Sequence, residues 1–346
     1  MDQSAASEDS GRAGPTATAR TGQRWFKVLR LLAGIGLLVW LFLKINPAQL
    51  GAEVRGAFGQ PGWLILGLGF TGLGLFTGVV RWYRILAAEG LGLPFGRVFQ
   101  FAFIGQFFNA FAFGACGGDV ARGYYIYRET AAGSRAEAGT TVIVDRGIGL
   151  VALLALCCGM IAWRLDFFTT QMETRLPAIL MVGMLGAAVF AGLVLLMFPS
   201  AMVREGGGAA SGSEATVPRR AVRVLSRFLG RPKELGLALL FSLGNAVFLT
   251  LACWAFGRAI LPGISLADVF ALFPVITVLA SVPLTPGAIG IRENLFAVLF
   301  ATVGIGEESA FAMSILVYLG GVFWSGVGGL CFLTYKRRTG DRGPVA

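Results

Sequence analysis

The sequence predicts an all-α integral membrane protein, with about six spanning helices and two re-entrant hairpins forming an inverted repeat. Three observations lead there. The 346 residues are 55% hydrophobic and only 14% charged, with a mean hydropathy of +0.72, whereas a soluble domain carries charge on about a quarter of its residues. Apolar runs recur along the chain, most near the roughly 20 residues a spanning helix needs. The basic residues that give a net charge of +10 gather between those runs, where they set orientation and do not suggest nucleic acid as a partner.

The elements follow in order. Residues 1–23 are mostly Ala, Ser, Gly and Thr with a few charges; they cannot build a core and read as a disordered cytoplasmic tail. A first apolar run, about 28–43, follows Arg24, Lys27 and Arg30. It has the charge order of a signal sequence but no small-x-small cleavage site, so it reads as a retained anchor. Further runs lie near 62–80, 98–115, 142–163, 177–198, 235–256, 270–303 and 310–334. Trp25, Trp63, Trp82 and Trp163 fall at run boundaries and read as an interfacial aromatic belt. The membrane domain is therefore expected over 24–338, with 339–346 a short cytoplasmic tail.

Two runs are broken. The one at 98–115 ends in Phe113-Gly114-Ala115-Cys116-Gly117-Gly118-Asp119. The one at 270–303 contains Pro283 and Pro286-Gly287-Ala288-Ile289-Gly290. Proline removes a helix donor and clustered glycine permits a sharp turn. Gly114, Gly117, Gly118, Pro286, Gly287 and Gly290 are thus the expected hairpin elbows.

Orientation requires two runs that do not cross, and the broken ones are the natural candidates. The segment 199–234 carries Arg204, Arg219, Arg220, Arg223, Arg227, Arg231 and Lys233, and both termini of the apolar region are flanked by basic residues. All three belong on the cytoplasmic side. Five crossings before residue 199, or three after residue 234, would put one of them outside. One early and one late run therefore do not cross. If those are the broken runs, one hairpin dips in from the cytoplasm and the other from outside, as an inverted repeat arranges them. A faint repeat accompanies this: Gly-Ala-x-Gly recurs at 114–117 and 287–290, each with a charge two residues later.

Charges follow both elbows: Asp119 and Arg122 after the first, Arg292 and Glu293 after the second. Asp145 and Arg146 lie in the run from 142. Charge at the bilayer centre costs about 2.5–3.5 kcal/mol on insertion scales. One reading is a polar cavity at the midplane, in which arginine forks and half-helix N-termini take an anion and the carboxylates an ammonium or a proton. The other is interfacial loops without a ligand, and for Asp145 and Arg146 the membrane surface. Asn109 fits either a substrate contact or a helix–helix hydrogen bond.

Several classes drop out. Histidine is absent, removing the commonest general base and metal ligand. The five cysteines form no CxxC pair and sit in or beside apolar segments, as small apolar residues. No Walker A motif occurs, and Gly67-Leu68-Gly69-Phe70-Thr71-Gly72 lies mid-span without the strand and acidic residue of a dinucleotide fold. No cofactor, metal or nucleic acid is expected.

Arg81-Trp82-Tyr83-Arg84, Asn109 with Gly117-Gly118-Asp119-Val120-Ala121-Arg122, Asp145-Arg146-Gly147, and Pro283 to Glu293 resemble, in order, the signature segments of the lysylphosphatidylglycerol synthase transmembrane-region family. The resemblance covers roughly 25–335. Members often have proline-glycine where this chain has Phe113 to Cys116, and Glu-Arg in place of Asp145-Arg146. The resemblance implies a flippase-like bacterial inner-membrane protein, with a phospholipid or glycolipid as substrate and Asn109, Asp119, Arg122, Asp145, Arg146, Arg292 and Glu293 around it. The aminoacyl-transferase half of the longer members does not follow residue 335, so the expectation is translocation and not enzyme activity. A non-transporting scaffold for a separate lipid-modifying synthase or glycosyl-transfer enzyme is the alternative. A membrane enzyme using the carboxylates is a third reading.

Overall fold

Continuous apolar sequence must hide its backbone in hydrogen-bonded helices when no water is at hand, and the chain folds accordingly. The computed structural model describes residues 47–111, 117–130, 135–197, 217–281 and 290–335. These form twelve helices and no strand. They are α1 (Pro47–Phe58), α2 (Pro61–Ala88), α3 (Phe95–Phe111), α4 (Gly117–Glu129), α5 (Arg135–Trp163), α6 (Leu165–Thr170), α7 (Met172–Met197), α8 (Val217–Leu229), α9 (Pro232–Ile260), α10 (Leu266–Ser281), α11 (Ile291–Ala301) and α12 (Glu307–Leu333).

Five helices, α2, α5, α7, α9 and α12, contain segments long and apolar enough to cross a membrane. The sixth expected span, 28–43, lies outside the described residues, as do both expected tails. Proline opens the first turn of α2 and α9, where its missing N–H has no partner to lose. The run expected at 270–303 is two helices, α10 and α11, flanking the undescribed 282–289. The run expected at 98–115 ends as α3, and a further helix, α4, follows.

α3 and α4 pack antiparallel. The Gly118 N–H donates to Asn109 Oδ1 at 2.8 Å, and one turn or more further on Phe101 stacks on Tyr125, 5.6 Å between ring centroids. α10 and α11 pack through Phe273 and Phe296. A long helix precedes and follows each pair: α2 and α5 around the first, α9 and α12 around the second. α2 and α9 share the most extensive interface in the bundle. α5 packs on α4 and α10, and α12 on α3 and α11, so the same two long helices flank both pairs.

The contacts also sort the bundle into two ends. At one, Arg231 donates to the Ala88 carbonyl, Arg227 pairs with Glu89 at 3.6 Å, and Tyr335 Oη donates to Glu129 at 2.9 Å. At the other, Ser309 donates to Glu53 at 3.1 Å, Gln171 to the Thr302 carbonyl at 3.3 Å, and Arg164 pairs with Asp268. The α3–α4 pair opens at the first end and the α10–α11 pair at the second.

Two apolar cores match this division. Trp82, Phe101, Ile104, Ile126 and Val142 pack around the first pair. Met181, Cys253, Phe273, Phe296, Phe300 and Met313 pack around the second. α8 closes the first end by seating Val224 and Phe228 against Ile85, Val144, Ile148 and Ala238.

Candidate functional site

A charge held among apolar helices needs a partner or a task, and the charged residues fall into two groups. The first centres on Asp145, whose side chain is 2% exposed. Asp145 lies about 15 Å into α5 at 1.5 Å per residue and is buried among the helices. Arg81 of α2 grips it bidentately, Nε to Oδ1 at 2.7 Å and Nη2 to Oδ2 at 3.0 Å. The remaining fork of Arg81 donates through Nη1 to Ser242 Oγ of α9 at 3.1 Å. Such parallel bonds are the strong form of the Arg–carboxylate pair. They tie together the two central long helices and α5.

Arg122 of α4 approaches the same carboxylate more loosely, with Nη1 3.7 Å from Asp145 Oδ2. Its guanidinium lies 5.1 Å over the Trp82 ring. Among the described residues, Arg122 donates no hydrogen bond. It is thus a cation held by charge and an aromatic face. Beside it, Arg146 Nε pairs with Asp119 Oδ2 at 2.6 Å, while Asp119 Oδ1 is buried with no hydrogen-bond partner.

The second group is on α11 and α12. Glu293, 5% exposed, accepts from Arg292 Nη2 at 2.5 Å and from the Gly290 N–H at 2.7 Å. Arg292 Nε donates to Ser314 Oγ at 3.1 Å, and its guanidinium lies 5.1 Å over Tyr318. Gly290 has φ +88°, a conformation that only glycine adopts without strain. Ser314 is about two turns from the start of α12, so this group belongs to the opposite half of the bundle from Asp145.

The expected site residues are therefore not gathered in one cluster. Asp119, Arg122, Asp145 and Arg146 come together; Arg292 and Glu293 pair with each other. Asn109 makes the helix–helix bond, capping the first turn of α4. One N–H at the start of each half-helix is thereby taken, that of Gly118 by Asn109 and that of Gly290, just before α11, by Glu293. Of the elbows, Gly117 and Gly118 open α4 and Gly290 precedes α11, while Gly114, Pro286 and Gly287 lie outside the described residues.

Three residues join the first group that the expected site does not contain. Arg81 follows an apolar run directly and so looks like a flank, and Ser242 is a common small residue in a spanning helix. Trp82 corrects its expected place in the aromatic belt: it is fully buried and donates to Thr141 Oγ1 at 3.3 Å. Two signals point to Arg81: it and Asp145 are both charges at the edges of apolar runs, and Arg81-Trp82-Tyr83-Arg84 is one of the segments that resemble the family's. Trp163, 68% exposed, does stand as a belt residue would.

The chain matches the lysylphosphatidylglycerol synthase TM region family over residues 27–324. It belongs to that family. It is also 25% identical, over 317 residues, to a UPF0104 membrane protein of Methanothermobacter thermautotrophicus, an alignment that covers 83% of this chain and 87% of the relative. Together with the five apolar helices, this makes it a multi-pass membrane protein. The segments that carry the family resemblance are those that build the two groups: Arg81-Trp82, Asp119 to Arg122 and Asp145-Arg146 make the first, and Gly290 to Glu293 the second.

Proposed function

We propose that this family member translocates a lipid with a polar headgroup across the bacterial inner membrane, without enzyme activity of its own. The two helix pairs act as re-entrant hairpins, entered from opposite faces of the membrane, in an inverted repeat. Both termini are cytoplasmic, with the α8 end of the bundle inside because the arginine-rich sequence 199–234 belongs on that side. The short lengths of α3, α4, α10 and α11 support this, since none reaches roughly 20 residues. Non-spanning helix ends are tolerated at membrane depth where they line a cavity or are buried in protein.

The observation that carries the reading is Arg122. A guanidinium that donates no hydrogen bond among the described residues, set among apolar helices, suits a headgroup phosphate, which its planar fork can take bidentately. Asp119 Oδ1, buried and without a donor, suits an amino or hydroxyl group on the same headgroup. Arg81, Asp145 and Ser242 hold the floor beneath.

The topology is tested with single cysteines on a background lacking all five native ones. A cysteine replacing Arg128 is expected to react only from the cytoplasmic side, and one replacing Gly263 only from outside. Reaction of both from one face would sink the opposed hairpins. Transport is tested in liposomes with a fluorescent phosphatidylglycerol and a membrane-impermeant quencher. Charged hydrogen bonds contribute about 1.5–3 kcal/mol, so Arg122→Gln is expected to slow flipping by about tenfold or more, with Arg122→Lys between it and wild type and Arg55→Gln unchanged. If wild type flips no headgroup tried, translocation is wrong and the scaffold reading takes its place. If Arg122→Gln flips as wild type does, the headgroup site is elsewhere.

A further inference from the structure

At the end of the bundle opposite α8, the last turns of α9 meet the first turn of α2. Trp254 and Arg258 are one turn apart on α9 and so share a face. The Arg258 guanidinium lies 5.0 Å over the Trp63 ring. Trp63 and Trp254 meet edge to face, with centroids 5.3 Å apart at 82°. Arg258 Nε and Trp254 Nε1 are both buried and have no hydrogen-bond partner. Among the described residues, no carboxylate lies within ion-pair distance of Arg258.

This combination is unusual for a folded chain. Buried donors are nearly always paired, and an exception calls for an explanation. Both orphans here are donors and one belongs to a fixed cation, so an acceptor with negative charge completes the set best. A phosphate oxygen meets that need: it accepts from guanidinium and indole alike and has no proton to clash with either. The tryptophans add the environment, because indole rings settle where one side is apolar and the other wet.

We propose that Trp63, Trp254 and Arg258 form a phosphate-binding site at the bundle end away from α8, occupied by the headgroup of a membrane phospholipid. Trp63 holds the guanidinium flat, and Arg258 Nε and Trp254 Nε1 donate to the phosphate. The site is separate from Arg122 and stands whether or not the protein moves lipid.

The test is calorimetric titration of the full chain, delipidated in dodecyl maltoside and phosphate-free buffer. An Arg122→Gln background keeps the other proposed headgroup site from contributing. Dioctanoyl-phosphatidylglycerol is expected to bind, and dioctanoylglycerol, which lacks the phosphate, is not. Adding Arg258→Gln should weaken binding at least tenfold. Trp254→Phe, which keeps a ring and removes the N–H, should weaken it several-fold, while Arg55→Gln leaves it unchanged. If inorganic phosphate alone binds with the same dependence on Arg258 and Trp254, the site is upheld and its ligand is the free ion. Equal binding by wild-type, Arg258→Gln and Trp254→Phe side chains in that background, or equal binding of dioctanoylglycerol, overturns it.

Discussion

Asp145→Ala is expected to destabilise the protein by about 3–5 kcal/mol, the usual penalty for removing one partner of a buried ion pair. The size follows from what is left behind. Arg81 would keep its charge, lose two hydrogen bonds at 2.7 and 3.0 Å, and retain only Ser242. Arg122 would lose the same carboxylate, leaving two guanidiniums near one another with no anion between them. In micelles the thermal midpoint should fall on the order of 10 °C, since each kcal/mol moves a protein of this size by a few degrees. Replacing the pair together, Arg81→Met with Asp145→Leu, should recover much of the loss, because apolar groups of similar volume often substitute for a buried pair without penalty. A midpoint for Asp145→Ala within a degree of wild type would mean that Asp145 is not the anchor of this group. A double substitution as damaging as the single one would mean that packing, and not charge, holds α2 to α5.

That group shows where the sequence was readable and where it was not. The long apolar runs located the five helices long and apolar enough to span, because hydropathy over 20 residues is a strong signal, although α2 runs on to Ala88 and α5 starts at Arg135, beyond the runs at 62–80 and 142–163. The glycine and proline breaks marked the runs at 98–115 and 270–303, where short helices stand in place of one long one. α4 escaped notice for the opposite reason: Gly-Gly-Asp-Val-Ala-Arg-Gly is neither apolar nor periodic, and it folds as a helix because α3 and α5 pack on either side of it. The charged site was half legible. Asp119, Arg122 and Asp145 announce themselves as charges beside apolar sequence. Their partner Arg81 is 64 residues from Asp145, and Ser242 is 161 from Arg81. No local pattern encodes a pairing at that separation. The same is true of the division into two groups. Arg292 sits beside Glu293 in sequence, and that adjacency, with Gly290 turning the chain, closes the second group on itself and leaves Arg122 to share Asp145 with Arg81.

Gly118→Ala is expected to be as instructive as the loss of Asp145, for a steric reason. A Cβ at residue 118 would stand 2.1 Å from the Gly105 carbonyl oxygen and 2.5 Å from Asn109 Cγ. The first of these is backbone, so no rotamer change relieves it, and α3 and α4 must separate. Overpacking in a tight interior typically costs about 1–3 kcal/mol, and displacing the Asn109 cap adds about 1 kcal/mol more. Gly328→Ala should behave alike, its Cβ falling 2.0 Å from the Phe103 carbonyl oxygen where α12 crosses α3. The control lies on the same helix as Gly118. Gly123 has nothing within 4 Å of its Cβ position, so Gly123→Ala is expected to stabilise by up to about 1 kcal/mol through helix propensity alone. Three alanine variants, alike in chemistry, should thus diverge in thermal midpoint by direction: two down and one up. On the proposed function, flipping should fall with the first two, because displacing α3 and α4 carries Asp119 and Arg122 away from Asp145. If all three shift together, whether up or down, the close approach of α3 to α4 and α12 is not what holds the first helix pair in place.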